Sequence, residues 1–108
     1  MKVNSKLDKK KGQCHLSIEG EMTIYHAMKL KEELLSPLVD CQEMEIDLSG
    51  VGEIDMVGLQ VLVVLKREAE TLGKLLRFIG HSQSVLELMD LCDLGGFFGD
   101  QVLIRSKA

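Results

Sequence analysis

Apolar and polar residues alternate along some stretches of this chain and recur at helical spacing along others. Gln13 to Ile18 (QCHLSI) puts Cys14, Leu16 and Ile18 on one side and His15 and Ser17 on the other, the period-2 sign of a half-buried strand. Glu43 to Leu48 (EMEIDL) repeats it with Met44, Ile46 and Leu48 inward, and Ser49-Gly50 is expected to close that strand. Val3 to Leu7 fits a short edge strand, followed by a charged turn from Asp8 to Gly12. Gly20 permits a bend or bulge before Met22 to Ile24. Leu75 to Ile79 (LLRFI) reads as a buried strand, and Val102 to Ile104 as a last one.

Helical spacing begins at Tyr25. Ala27, Leu30 and Leu34 form a stripe that Leu38 extends, so Tyr25 to Leu35 is predicted as a helix. Pro37 marks its end or a kink, because proline removes a backbone donor and crowds the preceding turn. A second helix is predicted from the Met56 region to Leu72, with Gly73 as its C-terminal cap. A third covers Val85 to Cys92, capped by Ser82 or Ser84. There Ser84 and Glu87 have capping-box spacing, and Gly95-Gly96 stops the helix. The order β-β-α-β-α-β-α implies an α/β fold with parallel pairs joined by right-handed crossovers, made mixed by the opening hairpin. At 108 residues the chain is read as one domain, 1–108, with no internal repeat or linker.

The middle helix departs from a simple amphipathic pattern. From Met56 to Leu65 only Gly58 and Gln60 are not apolar. At about 100° per residue, Leu59, Leu62, Leu65 and Ala69 share one side and are expected to face the sheet. Lys66 falls on the shoulder, where its stem can be buried while its ammonium reaches out. The opposite side carries Met56, Val57, Gln60, Val64 and Arg67, with Val61 on its flank. Outward apolar surface rimmed by polar groups is the pattern of a protein-binding patch. The competing reading is that the terminal helix or the C-terminal tail covers that side.

Composition narrows the classes. Hydrophobic residues make up 45% and charged ones 28%, ordinary for a globule. The net charge of −4 argues against a nucleic-acid role. The basic cluster KLDKKK, Lys6 to Lys11, reads as a solvated hairpin tip. No apolar run approaches the roughly 18–20 residues of a membrane span, and MKVNSKLDKKK predicts no signal peptide. Cys14, Cys41 and Cys92 are odd in number and widely spaced, which fits a reduced cytosol. His15, His26 and His81 lack ligand spacing, so no metal is expected. Neither GxGxxG nor GxxxxGK[ST] occurs, and the junction before the middle helix lacks a nucleophile. No cofactor, catalytic residue or enzyme activity is expected. Asp55 instead reads as a turn-holding residue that accepts backbone N–H bonds.

Several segments, in order, resemble the STAS domain family, the bacterial anti-sigma-factor antagonists and their relatives. They are GEMT (Gly20 to Thr23), AMKLKEELL, EIDLSGV, the junction IDMVGLQVLV, KLLRFIG and HSQSVLELMDLCDL. The resemblance implies a mixed β-sheet of four to five strands with helices packed mainly on one side. It also implies partner switching, in which the unphosphorylated protein binds a kinase or anti-sigma factor and phosphorylation in the D-x-x-G-L turn breaks the complex. The family carries a Ser or Thr just before the glycine, or one residue earlier. This chain has Val57 and Met56 there, so the turn is kept and the phosphoacceptor is missing.

The expected function is therefore a cytoplasmic, non-enzymatic protein-binding module. Its expected contact residues are Ser49, Asp55, Met56, Val57, Gly58, Gln60, Val61 and Val64, with the loop from Ser49 to Asp55 helping. The expected partner is an anti-sigma factor, a serine kinase, or a histidine-kinase or chemosensory signalling protein. The alternative is a STAS subunit of an ABC-type membrane transport complex, docked on its ATPase. Pairing with a second copy through the same helix, or through Phe97-Phe98, is a further option. Ser36, Ser49, Ser82 and Ser84 are the other candidate phosphorylation positions, each with a simpler reading as a turn or cap residue.

Overall fold

The computed structural model describes residues 1–8 and 11–92. The expected strand at Val102 to Ile104, the Gly95-Gly96 stop, the Phe97-Phe98 pair and the C-terminal tail lie outside the described residues. In chain order the elements are β1 (Lys2–Asp8), β2 (Gln13–Met22), α1 (Ala27–Asp40), β3 (Glu43–Ile54), α2 (Met56–Thr71), β4 (Leu75–Ile79) and α3 (Gln83–Leu91). The strands form one mixed sheet in the order β1-β2-β3-β4. β1 and β2 are the antiparallel hairpin, while β2–β3 and β3–β4 are parallel pairs.

One face of the sheet supplies the core. Cys14, Leu16 and Ile18 of β2, Met44, Ile46 and Leu48 of β3, and Leu76 and Phe78 of β4 are each at most 3% exposed. They pack against Leu30, Leu34 and Leu38 of α1, Leu59, Leu62 and Leu65 of α2, and Val85 and Met89 of α3. Burying each such side chain contributes on the order of 1.5–3 kcal/mol, which is why period 2 in the strands and period 3.6 in the helices dictate the layering. The other face carries polar side chains in register, with His15 opposite Glu45 and Glu45 opposite Arg77.

Three local expectations are corrected. Ser49-Gly50 does not close β3, which runs on to Ile54. Gly50 is instead a point of close approach, since a Cβ there would stand 2.9 Å from Ile18 O and 2.8 Å from Glu19 Cγ. Register shifts between β2 and β3 absorb the irregularity, and Val51 returns to the core at 1% exposed. Second, α1 starts at Ala27 and continues through Pro37 to Asp40. The lost donor is tolerated because Leu38, fully buried, anchors the last turn. Lys74 Nζ also donates to Leu38 O at 2.7 Å and Val39 O at 2.6 Å, satisfying carbonyls at the helix end. Third, α3 is capped by Ser82, whose Oγ accepts from Val85 N at 3.3 Å, and not by a Ser84–Glu87 box. Ser84 Oγ donates to Gly52 O at 2.8 Å and so ties α3 to β3.

The end of α2 agrees with expectation. Gly73, at φ +70°, takes the left-handed conformation that glycine adopts without steric cost. Gly73 N donates to Glu70 O at 3.1 Å and Lys74 N to Ala69 O at 2.8 Å, the paired bonds of a Schellman cap. No helix among the described residues is long and apolar enough to cross a membrane.

Candidate protein-docking face

The parallel strands β2 and β3 end side by side, and the chain enters α1 from one and α2 from the other. Asp55 holds this corner together. As the N-cap of α2 it has extended backbone dihedrals, and its Oδ1 accepts from Gly58 N at 2.9 Å. Its Oδ2 accepts from Ile24 N at 2.9 Å, across the gap to the turn after β2. Its own N–H donates to Met22 O at 3.2 Å. The bonds from Gly58 and then Ile24 hold the carboxyl below the ordinary carboxylate range, because both favour the charged form. Asp55 thus acts as a clasp between two chain segments. Gly58 is buried directly against Met22, with no room for a side chain. It shapes the corner without offering contact surface, contrary to its expected place among contact residues.

From this clasp α2 projects its first turns. Leu59, Leu62, Leu65 and Ala69 are at most 1% exposed, as the helical spacing requires. Met56 is 49%, Val57 38% and Val64 38% exposed, and Gln60 and Arg67 are exposed beside them. Val61 does not belong to this surface, being only 7% exposed. With α1 and α3 both packed alongside α2, the flanks of the helix are covered and Val63 is buried as well. The buried stripe is therefore wider than a helix lying alone on a sheet would need.

Ser49 is not part of this face either. It lies on β3, six residues of strand before Asp55, roughly 20 Å at the usual rise. Its N–H donates to Asp47 Oδ1 at 2.8 Å, and its Cβ sits by Gly80. The segment from Ser49 to Ile54 is strand and not a loop.

The structure adds residues that the periodicity did not select. Ile24, Tyr25 and Met28, at 60%, 89% and 75% exposed, occupy the turn after β2 and the first turn of α1. Asp55 binds the backbone of Ile24 and directly precedes Met56, so the β2–α1 turn and the start of α2 are tied at this residue. The available signal was that Tyr25 and Met28 fall off the Ala27–Leu30–Leu34 stripe. On the other flank, Cys92 Sγ at the end of α3 lies 3.6 Å from Met56 Sδ.

Chemical groups near the corner are few. The Thr23 hydroxyl in the β2–α1 turn is buried without a hydrogen-bond partner. Ser82 and Ser84 are engaged as above, and Ser36 is exposed on α1. Burial pushes the Cys14 thiol up to about 11, with the neighbouring Cys41 adding to it, and burial raises Cys41 as well. Neither thiol is primed as a nucleophile. No group of three or more His, Cys, Asp or Glu among the described residues is placed to hold a metal ion. A depression of about 400 Å³ on the open sheet face is lined by Lys6, His15, Ser17, Glu45, Asp47 and Ile79, among others. There Glu45 Oε2 accepts from Arg77, and His15 Nδ1 lies 3.1 Å from Glu45 Oε1.

Comparison with known proteins agrees with this architecture. A family model described as "Mlab, STAS domain" matches residues 5–105. The fold is similar to an anti-sigma factor antagonist from Mycobacterium paratuberculosis, with a TM-score of 0.77 and 18% identity over 97% of this chain and 90% of that one. It is similar to the anti-sigma factor antagonist SpoIIAA in its unphosphorylated form, with a TM-score of 0.73 and 11% identity over 98% and 91%. A sulfate transporter family protein from Wolinella succinogenes shares it too, with a TM-score of 0.69 and 20% identity over 82% and 72%.

Proposed function

Because this chain belongs to the STAS domain family, we propose that it is a regulatory module that works by binding another protein, in the manner of an anti-sigma factor antagonist. The observation that carries this reading is the outward placement of Met56, Val57 and Val64 at 49%, 38% and 38% exposure on a helix whose opposite side is fully packed. Apolar side chains held out by a rigid clasp are suited to docking, since their transfer from water drives association. Among the described residues, the Thr23 hydroxyl at this corner is buried and no group of three or more His, Cys, Asp or Glu is placed to hold a metal ion.

At the positions where the family carries its phosphoacceptor, Met56 and Val57 hold no hydroxyl. Docking of this module is therefore not interrupted by phosphorylation at that turn. Val57→Asp tests the reading. A carboxylate introduced at a contact that becomes apolar and dry should weaken partner capture at least about tenfold, given the cost of burying an unpaired charge. Undiminished capture by a correctly folded Val57→Asp protein would refute the docking face.

A second reading uses the same face. The shared fold with a sulfate transporter family protein is consistent with a STAS subunit of a transport complex, docked on its ATPase. Co-purification with an ATPase and its permease, as against an anti-sigma factor or signalling kinase, separates the two.

A further inference from the structure

The sulfur atoms of the chain are unevenly sheltered. Met22, Met44 and Met89 are at most 2% exposed, and Cys14 and Cys41 are equally enclosed. Met56 is half exposed on the docking face, and its thioether lies 3.6 Å from the Cys92 thiol, which is itself partly open to solvent. We propose that Met56 is an oxidation site: a hydroperoxide converts its thioether to the sulfoxide, and the modified chain is excluded from its partner. The inference rests on the docking role proposed above and names a means of regulating that face.

The chemistry is self-contained. The Met56 sulfur attacks the distal oxygen of hydrogen peroxide, an S–O bond forms as the O–O bond breaks, and the displaced hydroxide leaves as water after proton transfer. Sulfur is oxidised by two electrons and the peroxide is reduced. The product carries a strongly polar oxygen where a flexible apolar side chain stood. Before binding, that oxygen is tolerated at the surface. It stays in reach of water and of the Cys92 S–H, which lies 3.6 Å from the Met56 sulfur. Once docked it must shed water against an apolar partner. Met28 is more exposed, at 75%, and will also oxidise, but it lies on α1, away from the sulfur pair.

The test treats the whole chain with hydrogen peroxide. Peptide mass mapping should find one added oxygen on Met56 and on Met28, with Met22, Met44 and Met89 unmodified. Affinity for the partner that the untreated chain captures is then measured, each variant against its own untreated form. Peroxide should weaken binding about tenfold or more for wild type and for Met28→Leu, and leave Met56→Leu unchanged by treatment. Dithiothreitol should not reverse the loss, and a methionine sulfoxide reductase should. Equal loss in Met56→Leu, reversal by dithiothreitol, or no loss despite oxidised Met56 would each overturn the proposal. In the last case Val57→Asp, untreated, tells the two ideas apart. If it abolishes capture, the docking face stands and only the oxidation site fails; if it does not, both fall.

Discussion

The packing at Gly58 makes a strong quantitative demand. A Cβ built there would overlap the Met22 carbonyl oxygen, with the carbonyl carbon at 2.8 Å and Met22 Cβ at 3.1 Å. The obstacle is backbone at the end of β2, so no side chain can swing aside. Gly58→Ala must push the start of α2 from β2 by on the order of 1 Å. That movement opens the two bonds crossing the gap, Asp55 N to Met22 O at 3.2 Å and Ile24 N to Asp55 Oδ2 at 2.9 Å. Two hydrogen bonds at about 1 kcal/mol each and overpacking strain of about 1–3 kcal/mol outweigh the roughly 1 kcal/mol that alanine gains over glycine within a helix. The net cost is about 2–4 kcal/mol, or a fall in Tm of roughly 10–25 °C for a domain of this size.

Gly52→Ala is the matched control, because the nearest atom to its new Cβ would be Gly20 O at 4.0 Å. It should stay within about 0.5 kcal/mol of wild type. Thermal and urea unfolding followed by circular dichroism measures both variants, and hydrogen exchange at the Ile24 and Asp55 amides reports whether the clasp opened. If Gly58→Ala matched Gly52→Ala in midpoint, the close approach of α2 to β2 would be wrong, and with it the geometry that aims Met56 and Val57 outward.

Further outcomes follow from other contacts. Asp55→Asn should lower stability at neutral pH. Because the folded carboxyl lies below its unfolded value, the Asp55 contribution is fully present above about pH 4 and is lost as pH falls through the folded value. The gap between wild type and variant should therefore close in acid, and a gap constant down to pH 2 would contradict the clasp. Lys74→Met removes both bonds to the α1 terminus and should cost roughly 1–2 kcal/mol by urea unfolding. Thiol titration with an alkylating reagent should modify Cys92 in the native protein and Cys14 and Cys41 only on unfolding, given their burial and raised values.

The fold was largely legible because its core obeys simple periods. Cys14, Leu16 and Ile18, then Met44, Ile46 and Leu48, alternate without interruption, and each set is buried on the same face. Sequence reading failed where tertiary contact overrides a local signal. Ser49-Gly50 looks like a turn, yet glycine is required there because Ile18 and Glu19 of the neighbouring strand press against it. Pro37 looks like a helix stop, but Leu38 and the reach of Lys74, thirty-odd residues downstream, carry α1 past it. Val61 looked outward on a single-helix wheel because the wheel contains neither α1 nor α3.

The candidate face shows the same division at finer scale. Asp55, Gly58 and Leu59 follow one another closely with the exposed pair between them, and the structure gives the two groups opposite tasks. Asp55 spends both carboxylate oxygens on Gly58 and Ile24; Gly58 and Leu59 are buried. None of these three has much left with which to meet a partner. Met56 and Val57 are partly open to solvent, with the Cys92 thiol beside the Met56 sulfur. A short motif read as one functional unit therefore separates into a frame that sets direction and a pair of side chains that it displays. Substitutions in the frame should change stability first and binding only through it, whereas substitutions of the displayed pair should change binding at nearly constant Tm. The turn after β2, in a different part of the chain, is tied to the same frame by the Ile24 N–H, which donates to Asp55. That long-range bond is what a linear reading of the motif could not supply, and it makes the frame span two segments of the chain.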